Sequence, residues 1–191
     1  MNLLWDFDGT LFDTYPMYVE TLLEVFPHVR ENFHYDDILK EMQVSFTHGF
    51  QYLQLTAQQE AQYRQKNLAL APELFQPFAD VEAVLKQADV NVIMSHKEKA
   101  VIEAVLAAHG WQHYVAEITT PAQGFPRKPN AEAYAYLHAK YALDAAIGDR
   151  ALDLIPAKAV GMKTMMFRGT CAAADATLMH YKDFKKVWEM L

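Results

Sequence analysis

The sequence predicts an α/β fold: a parallel sheet with helices on both faces, interrupted by an inserted all-α segment. Three observations predict it. From Phe78 onward, short apolar runs alternate with longer stretches of helical periodicity, the pattern of a parallel sheet covered on both faces. Several of these runs stop at charged turns, as strands do where a crevice opens at their C-terminal edge. Between the first run and the second lies a block that is helical throughout.

Asn2 to Trp5 is a short apolar run that stops at Asp6-Phe7-Asp8-Gly9-Thr10, as suits a buried strand ending in a functional turn. The helical block follows. Tyr18, Leu22, Val25 and Phe26 share one face at helical spacing, and Pro27 ends that helix. Asp36 or Asp37 begins a second helix through Met42, and Ser45 a third through Leu53. Thr56 N-caps a fourth that runs to Leu70 on good helix formers. From Pro72 the pattern changes. A helix is expected over 78–88, with Val81, Val84 and Leu85 inward, then a β-rich run over 90–94. A helix over 97–109 closes at Gly110, and a strand over 115–119 precedes a helix over 131–141. A strand over 145–148 leads to a helix over 151–160 closed by Gly161. A strand over 163–167 and a last helix over 183–190 follow, with 172–174 as a loop or helix start. The expected organisation is a core of residues 1–14 and 73–191 carrying a helical cap over 15–72.

Composition narrows the function classes. The 191 residues are 52% hydrophobic and 21% charged, enough apolar material for a packed core. Lys and Arg number 17 against 24 Asp and Glu, a net charge of −7 that disfavours binding along a nucleic-acid backbone. It does not forbid a small phosphate ester, because a few placed cations outweigh a diffuse negative field. A single cysteine, Cys171, forms no internal disulfide. The N-terminus lacks a basic leader, and the longest uncharged stretch, Met42 to Gln59, is too polar for a membrane span. The expected location is the cytosol.

Four short motifs fall at strand ends or in loops beside them. The first, Asp6-Phe7-Asp8-Gly9-Thr10, aims two carboxylates at one crevice, where one can bind a cation or attack an electrophile while the other carries a proton. Second is Ser95, closing Val90 to Met94, whose hydroxyl can donate to a phosphoryl oxygen; alone it reads as a helix N-cap. The third is Lys128 in Phe125-Pro126-Arg127-Lys128-Pro129, where two prolines restrict the reach of the ammonium. Ile147-Gly148-Asp149-Arg150-Ala151-Leu152-Asp153 is the fourth, one carboxylate at a strand end and another four residues on. Alone, Asp149 reads as an N-cap and Asp153 as a charge near a helix dipole. Together and in this order the four exceed their separate explanations.

In these segments, LLWDFDGTLFDT, VIMSHK, RKPNAEAY and AIGDRALD, the chain resembles the haloacid dehalogenase superfamily of aspartate-nucleophile phosphohydrolases, from Leu3 to about Phe167. The helical insert resembles the small cap of the phosphoglycolate-phosphatase-like branch. The resemblance implies a Rossmann-like core with Asp6 as nucleophile and Asp8 as general acid and base. Mg²⁺ would be held by the Asp6 carboxylate, the Asp8 carbonyl and Asp149, an oxygen set that suits a hard cation. Ser95 and Lys128 would bind the transferring phosphoryl group, helped by backbone N–H groups after Asp6 around Gly9 and Thr10. Asp153 would support Asp149 or Lys128 from behind. Asp8 in the first motif disfavours carbon–halogen and carbon–phosphorus cleavage.

His96 stands where the family more usually has Asn, either touching substrate or as a tolerated loop residue. Phe46 and His48, in the polar and aromatic stretch 45–49, are candidates for substrate contact, with helix start and packing as the competing reading. His109 and His113 have metal-binding spacing, but Gly110 between them argues against a shared helix. The expected function is a Mg²⁺-dependent phosphatase acting on a small phosphorylated metabolite, with no nucleic-acid or membrane partner, as a monomer or weak homodimer. The alternatives are a phosphomutase of the β-phosphoglucomutase type and a non-catalytic binding protein on the same fold.

Overall fold

Strand β1 (Asn2–Trp5) lies in the middle of a six-stranded sheet, flanked by β2 (Val90–Met94) on one side and β4 (Ala145–Gly148) on the other. Outside them run β3 (Val115–Thr119), and β5 (Lys163–Phe167) followed by β6 (Ala176–Leu178), giving the order β3-β2-β1-β4-β5-β6 with every pair parallel. The computed structural model describes residues 1–191 and resolves two compact units, 1–12 with 77–191, and 13–76.

The first unit holds the sheet. Leu3, Leu4 and Trp5 are almost wholly inaccessible, and all four residues of β4 are buried, as central parallel strands covered on both faces require. Helices α7 (Glu132–Tyr141) and α8 (Ala151–Ala159) contribute Ala133, Tyr134, Leu137 and Ala157 to the cluster that packs on Leu4, Val92 and Ala146. The chain leaves β1 toward β2 and β3, then returns to lay β4 on the opposite side. The crevice between the C-terminal ends of β1 and β4 is therefore a topological switch point, where open parallel sheets bind ligands.

Strands β1 to β5 coincide with the runs expected from sequence; the helices differ at their ends. Helix α5 begins at Val81 rather than Phe78 and runs to Gln87, because the Phe78 N–H donates to the Leu11 carbonyl at 3.1 Å and Pro77 bridges to Phe12. Helix α6 begins at Lys99, since the Ser95 hydroxyl accepts the Lys97 N–H in a turn ahead of it. It ends at Ala108 with paired bonds, Gly110 N–H to Ala107 and Trp111 N–H to Leu106, and α8 ends in the same way at Gly161 and Met162. Strand β6 was not expected: its three residues, Ala-Thr-Leu, carry too little β signal to register. A short helix, α9 (Phe184–Trp188), closes the chain.

The second unit is all-helical: α1 (Thr14–Val25), α2 (Tyr35–Val44), α3 (Phe46–Tyr52) and α4 (Ala57–Leu68). Pro27 opens a 3₁₀ turn just after α1, and Thr56 caps α4 in a reciprocal box with Gln59. Tyr18, Leu22, Ile38, Met42, Phe50 and Tyr63 form its core, tied by the Tyr63 hydroxyl to the Tyr18 carbonyl at 2.9 Å.

Candidate active site

Asp6 emerges from β1 with its N–H bonded to the Ile147 carbonyl of β4 at 3.0 Å, so the first motif is locked onto the switch point. The chain then folds back on itself: Gly9 N–H reaches the Phe12 carbonyl at 2.9 Å, and Leu11 N–H reaches Phe7 at 3.1 Å. Gly9 has φ 77°, a left-handed conformation that explains a glycine after the two acids. The fourth motif has a comparable steric reason. A Cβ on Gly148 would lie 2.4 Å from the Asp153 Cβ, so glycine at the end of β4 admits the Asp153 side chain.

Lys128 links the motifs. Its Nζ donates to Asp6 Oδ1 at 2.6 Å and to Asp153 Oδ1 at 2.8 Å, and all three side chains are at most 3% exposed. Asp153 Oδ2 accepts the Arg150 N–H at 3.1 Å, so both its oxygens are engaged. Asp153, not Asp149, thus closes the first turn of α8. Burial pushes the Asp6 carboxyl up, but Lys128 and Arg150 outweigh it and hold the group below the usual carboxylate range. Asp153, sharing the same ammonium, is raised by burial and by the charge of Asp6. Burial alone would lower Lys128; Asp153 and Asp6 reverse this and keep it protonated.

The other motif residues gather around this triad. Asp8 Oδ2 is 3.3 Å from the Lys97 ammonium, and the Thr10 hydroxyl lies 3.5 Å from Asp149 Oδ1. Arg150 Nε approaches Asp149 Oδ1 at 3.9 Å. Ser95 is buried, its N–H on the Thr119 carbonyl at 3.1 Å. His96 Nε2 accepts the backbone N–H of Lys128 at 2.8 Å. Phe46 and His48 belong to the helical unit. Phe46 packs against Tyr18, Phe50 and Tyr63, and the exposed His48 ring pairs with Glu41.

Three residues of the site were not singled out from sequence. Lys97 and Arg150 adjoin motif residues, so proximity in the chain could have flagged them. Tyr181 could not be found that way: its hydroxyl donates to the Thr10 carbonyl at 2.8 Å from the C-terminal segment.

One carboxylate oxygen from each of Asp6, Asp149 and Asp153 falls within 4.8 Å of the others. Both Asp153 oxygens are committed, whereas Asp6 Oδ2 is buried with no hydrogen-bond partner. A buried anionic oxygen without a donor is costly unless a cation meets it. Asp6 therefore fits a divalent metal better than Asp153 does, with Asp149 the third acid within reach.

Two buried carboxylates, Asp6 and Asp153, cross-linked by Lys128, thus stand at the switch point of a parallel, Rossmann-like α/β sheet. The chain belongs to the haloacid dehalogenase-like hydrolase family, whose model matches residues 3–167 and whose members generally use a divalent metal. No curated protein matches it. Among solved structures, it is similar to a hydrolase from Streptococcus pneumoniae TIGR4 (24% identity, 98% of this chain and 97% of that one, TM-score 0.72). It is also similar to a subfamily IA hydrolase from Geobacter sulfurreducens PCA (11%, 97% and 94%, TM-score 0.75). A third similar structure is that of a predicted phosphoglycolate phosphatase from Haemophilus somnus 129PT (18%, 98% and 97%, TM-score 0.74). At these identities the likeness is one of fold. No helix of the chain is long and apolar enough to cross a membrane.

Proposed function

We propose that the chain is a Mg²⁺-dependent cytosolic phosphatase that hydrolyses a small phosphomonoester through an aspartyl-phosphate on Asp6. One observation carries the reading: a buried carboxylate, kept ionised by Lys128, that retains an unpartnered oxygen at the switch point. An Asp6 oxygen attacks phosphorus, and the bond to the leaving oxygen breaks as Asp8 gives that oxygen a proton. Water then attacks the phosphorus, Asp8 takes its proton, and the bond to Asp6 breaks to release inorganic phosphate. The Lys128 ammonium and the Ser95 hydroxyl hold phosphoryl oxygens, so positioning and charge neutralisation supply most of the acceleration. Asp6, the Asp8 carbonyl and Asp149 would hold Mg²⁺, which when bound neutralises charge on the phosphoryl group.

Incubation with p-nitrophenyl phosphate tests this. The expected result is release that needs Mg²⁺, stops with EDTA, and falls by at least about a thousandfold in Asp6→Asn. Release that survives Asp6→Asn overturns the reading. A panel of phosphoglycolate, sugar phosphates and nucleotides then ranks substrates.

A further inference from the structure

The Lys128 ammonium is held by Asp6 and Asp153, but the loop that carries its backbone has few donors of its own. Pro126 and Pro129 offer no N–H, and the turn around it closes through the Asn130 N–H on the Arg127 carbonyl at 3.1 Å. The Lys128 N–H goes elsewhere, to Nε2 of His96 at 2.8 Å, across 32 residues and from the loop that ends β2. Ser95, the neighbour of His96, is fixed by its own N–H on Thr119 of β3. The imidazole thus joins the backbone bearing Ser95 to the backbone bearing Lys128.

We propose that His96 is a positioning residue for the reaction: by accepting the Lys128 N–H it sets the separation of the two groups that hold the phosphoryl oxygens. The inference rests on the phosphatase reading for the roles of Ser95 and Lys128. An acceptor at Nε2 requires the lone pair to be free of a proton, so the neutral ring carries its hydrogen on Nδ1. The surroundings favour that form. Burial, then Lys128, Arg127 and Arg150, push the imidazole down to about 4 against the pull of Asp6. The geometry matters because misplacing a group that positions the reacting phosphoryl by about 1 Å can cost about a hundredfold in rate.

His96→Phe keeps a ring and removes the acceptor; His96→Gln keeps an acceptor at similar reach. With p-nitrophenyl phosphate and Mg²⁺, the Phe variant is expected to lose about tenfold or more in kcat per folded molecule. The Gln variant is expected to recover most of the loss. Amide hydrogen exchange read by NMR supplies the second arm: the Lys128 N–H exchanges faster in the Phe variant and regains protection in the Gln variant. A Phe variant with wild-type kcat and wild-type Lys128 protection overturns the proposal, as does a Gln variant no better than Phe. If the unaltered chain releases no phosphate, the phosphatase reading fails. The exchange arm then decides alone: Lys128 protection unchanged in the Phe variant overturns the anchoring by His96, and its loss supports it.

Discussion

The hydroxyl of Tyr181 donates to the carbonyl of Thr10 at 2.8 Å, joining residues 171 apart in sequence. The ring stacks on Phe167 with centroids 4.5 Å apart and is tilted against Trp5, so the donor is fixed by packing. Burial, then Asp149, raises the phenol well above its ordinary value, which keeps the proton on it. The turn carrying Asp6 and Asp8 is therefore held from a segment lying beyond residues 3–167 that match the family.

Tyr181→Phe leaves that buried carbonyl unpaired at constant shape. The expected cost is about 1–3 kcal/mol in urea unfolding, with a loss of kcat because the turn loosens. Unchanged stability and unchanged kcat would show that the bond does not hold the motif.

Lys128→Met removes the cation that Asp6 and Asp153 share. Two buried carboxylates are then left facing each other, and the expected destabilisation at neutral pH is about 3–5 kcal/mol. The loss shrinks on acidification, since protonating one acid removes the repulsion. Denaturation of both chains at two pH values checks the size and the direction.

His96 makes a separate pH prediction. Its ring stays neutral in the folded chain down to about 4, while in the unfolded chain it takes a proton near the ordinary value of 6.5. Between these values the unfolded state binds the extra proton, so His96 lowers stability as pH falls from 6.5 toward 4. The wild-type urea midpoint is expected to drop more over that window than that of His96→Gln. Parallel midpoints would show that the ring titrates alike in both states.

Asn91 is a buried polar knot inside β2. Its Oδ1 accepts the Trp5 indole N–H at 2.8 Å, and its Nδ2 donates to the carbonyls of Leu85 at 2.9 Å and Tyr114 at 3.2 Å. Asn91→Leu strands the Trp5 N–H and the Leu85 carbonyl in the core and takes a donor from the half-buried Tyr114 carbonyl, for an expected loss of about 3 kcal/mol. Thermal unfolding reads it; a variant as stable as the parent would mean that these bonds merely replace bonds to water.

Much of this was legible because it is local. The apolar runs of β1 and β4 and the glycines ending α6 and α8 are short-range signals, and the structure follows them closely. Asp6, Ser95, Lys128 and Asp149 could be singled out because each stands beside such a run or between prolines. Helix starts at Val81 and Lys99 were less legible, since the preceding residues spend their N–H groups on partners outside the helix. Strand β6 exists because Met165–Phe167 offers an edge to pair with, and its own three residues say little.

Periodicity and turn chemistry act over a few residues, so the α/β alternation, the helical insert and the four motifs are legible in the chain alone. Which charges meet depends on how the strands and loops pack together. Lys128 reaches Asp6 across 122 residues, and its ammonium stays charged in a dry site because Asp153 joins it there. The same packing decides that His96 points at a backbone and that Tyr181 holds Thr10. Such contacts depend on strand order and on the low dielectric of a packed interior, and neither is written in any one stretch of chain.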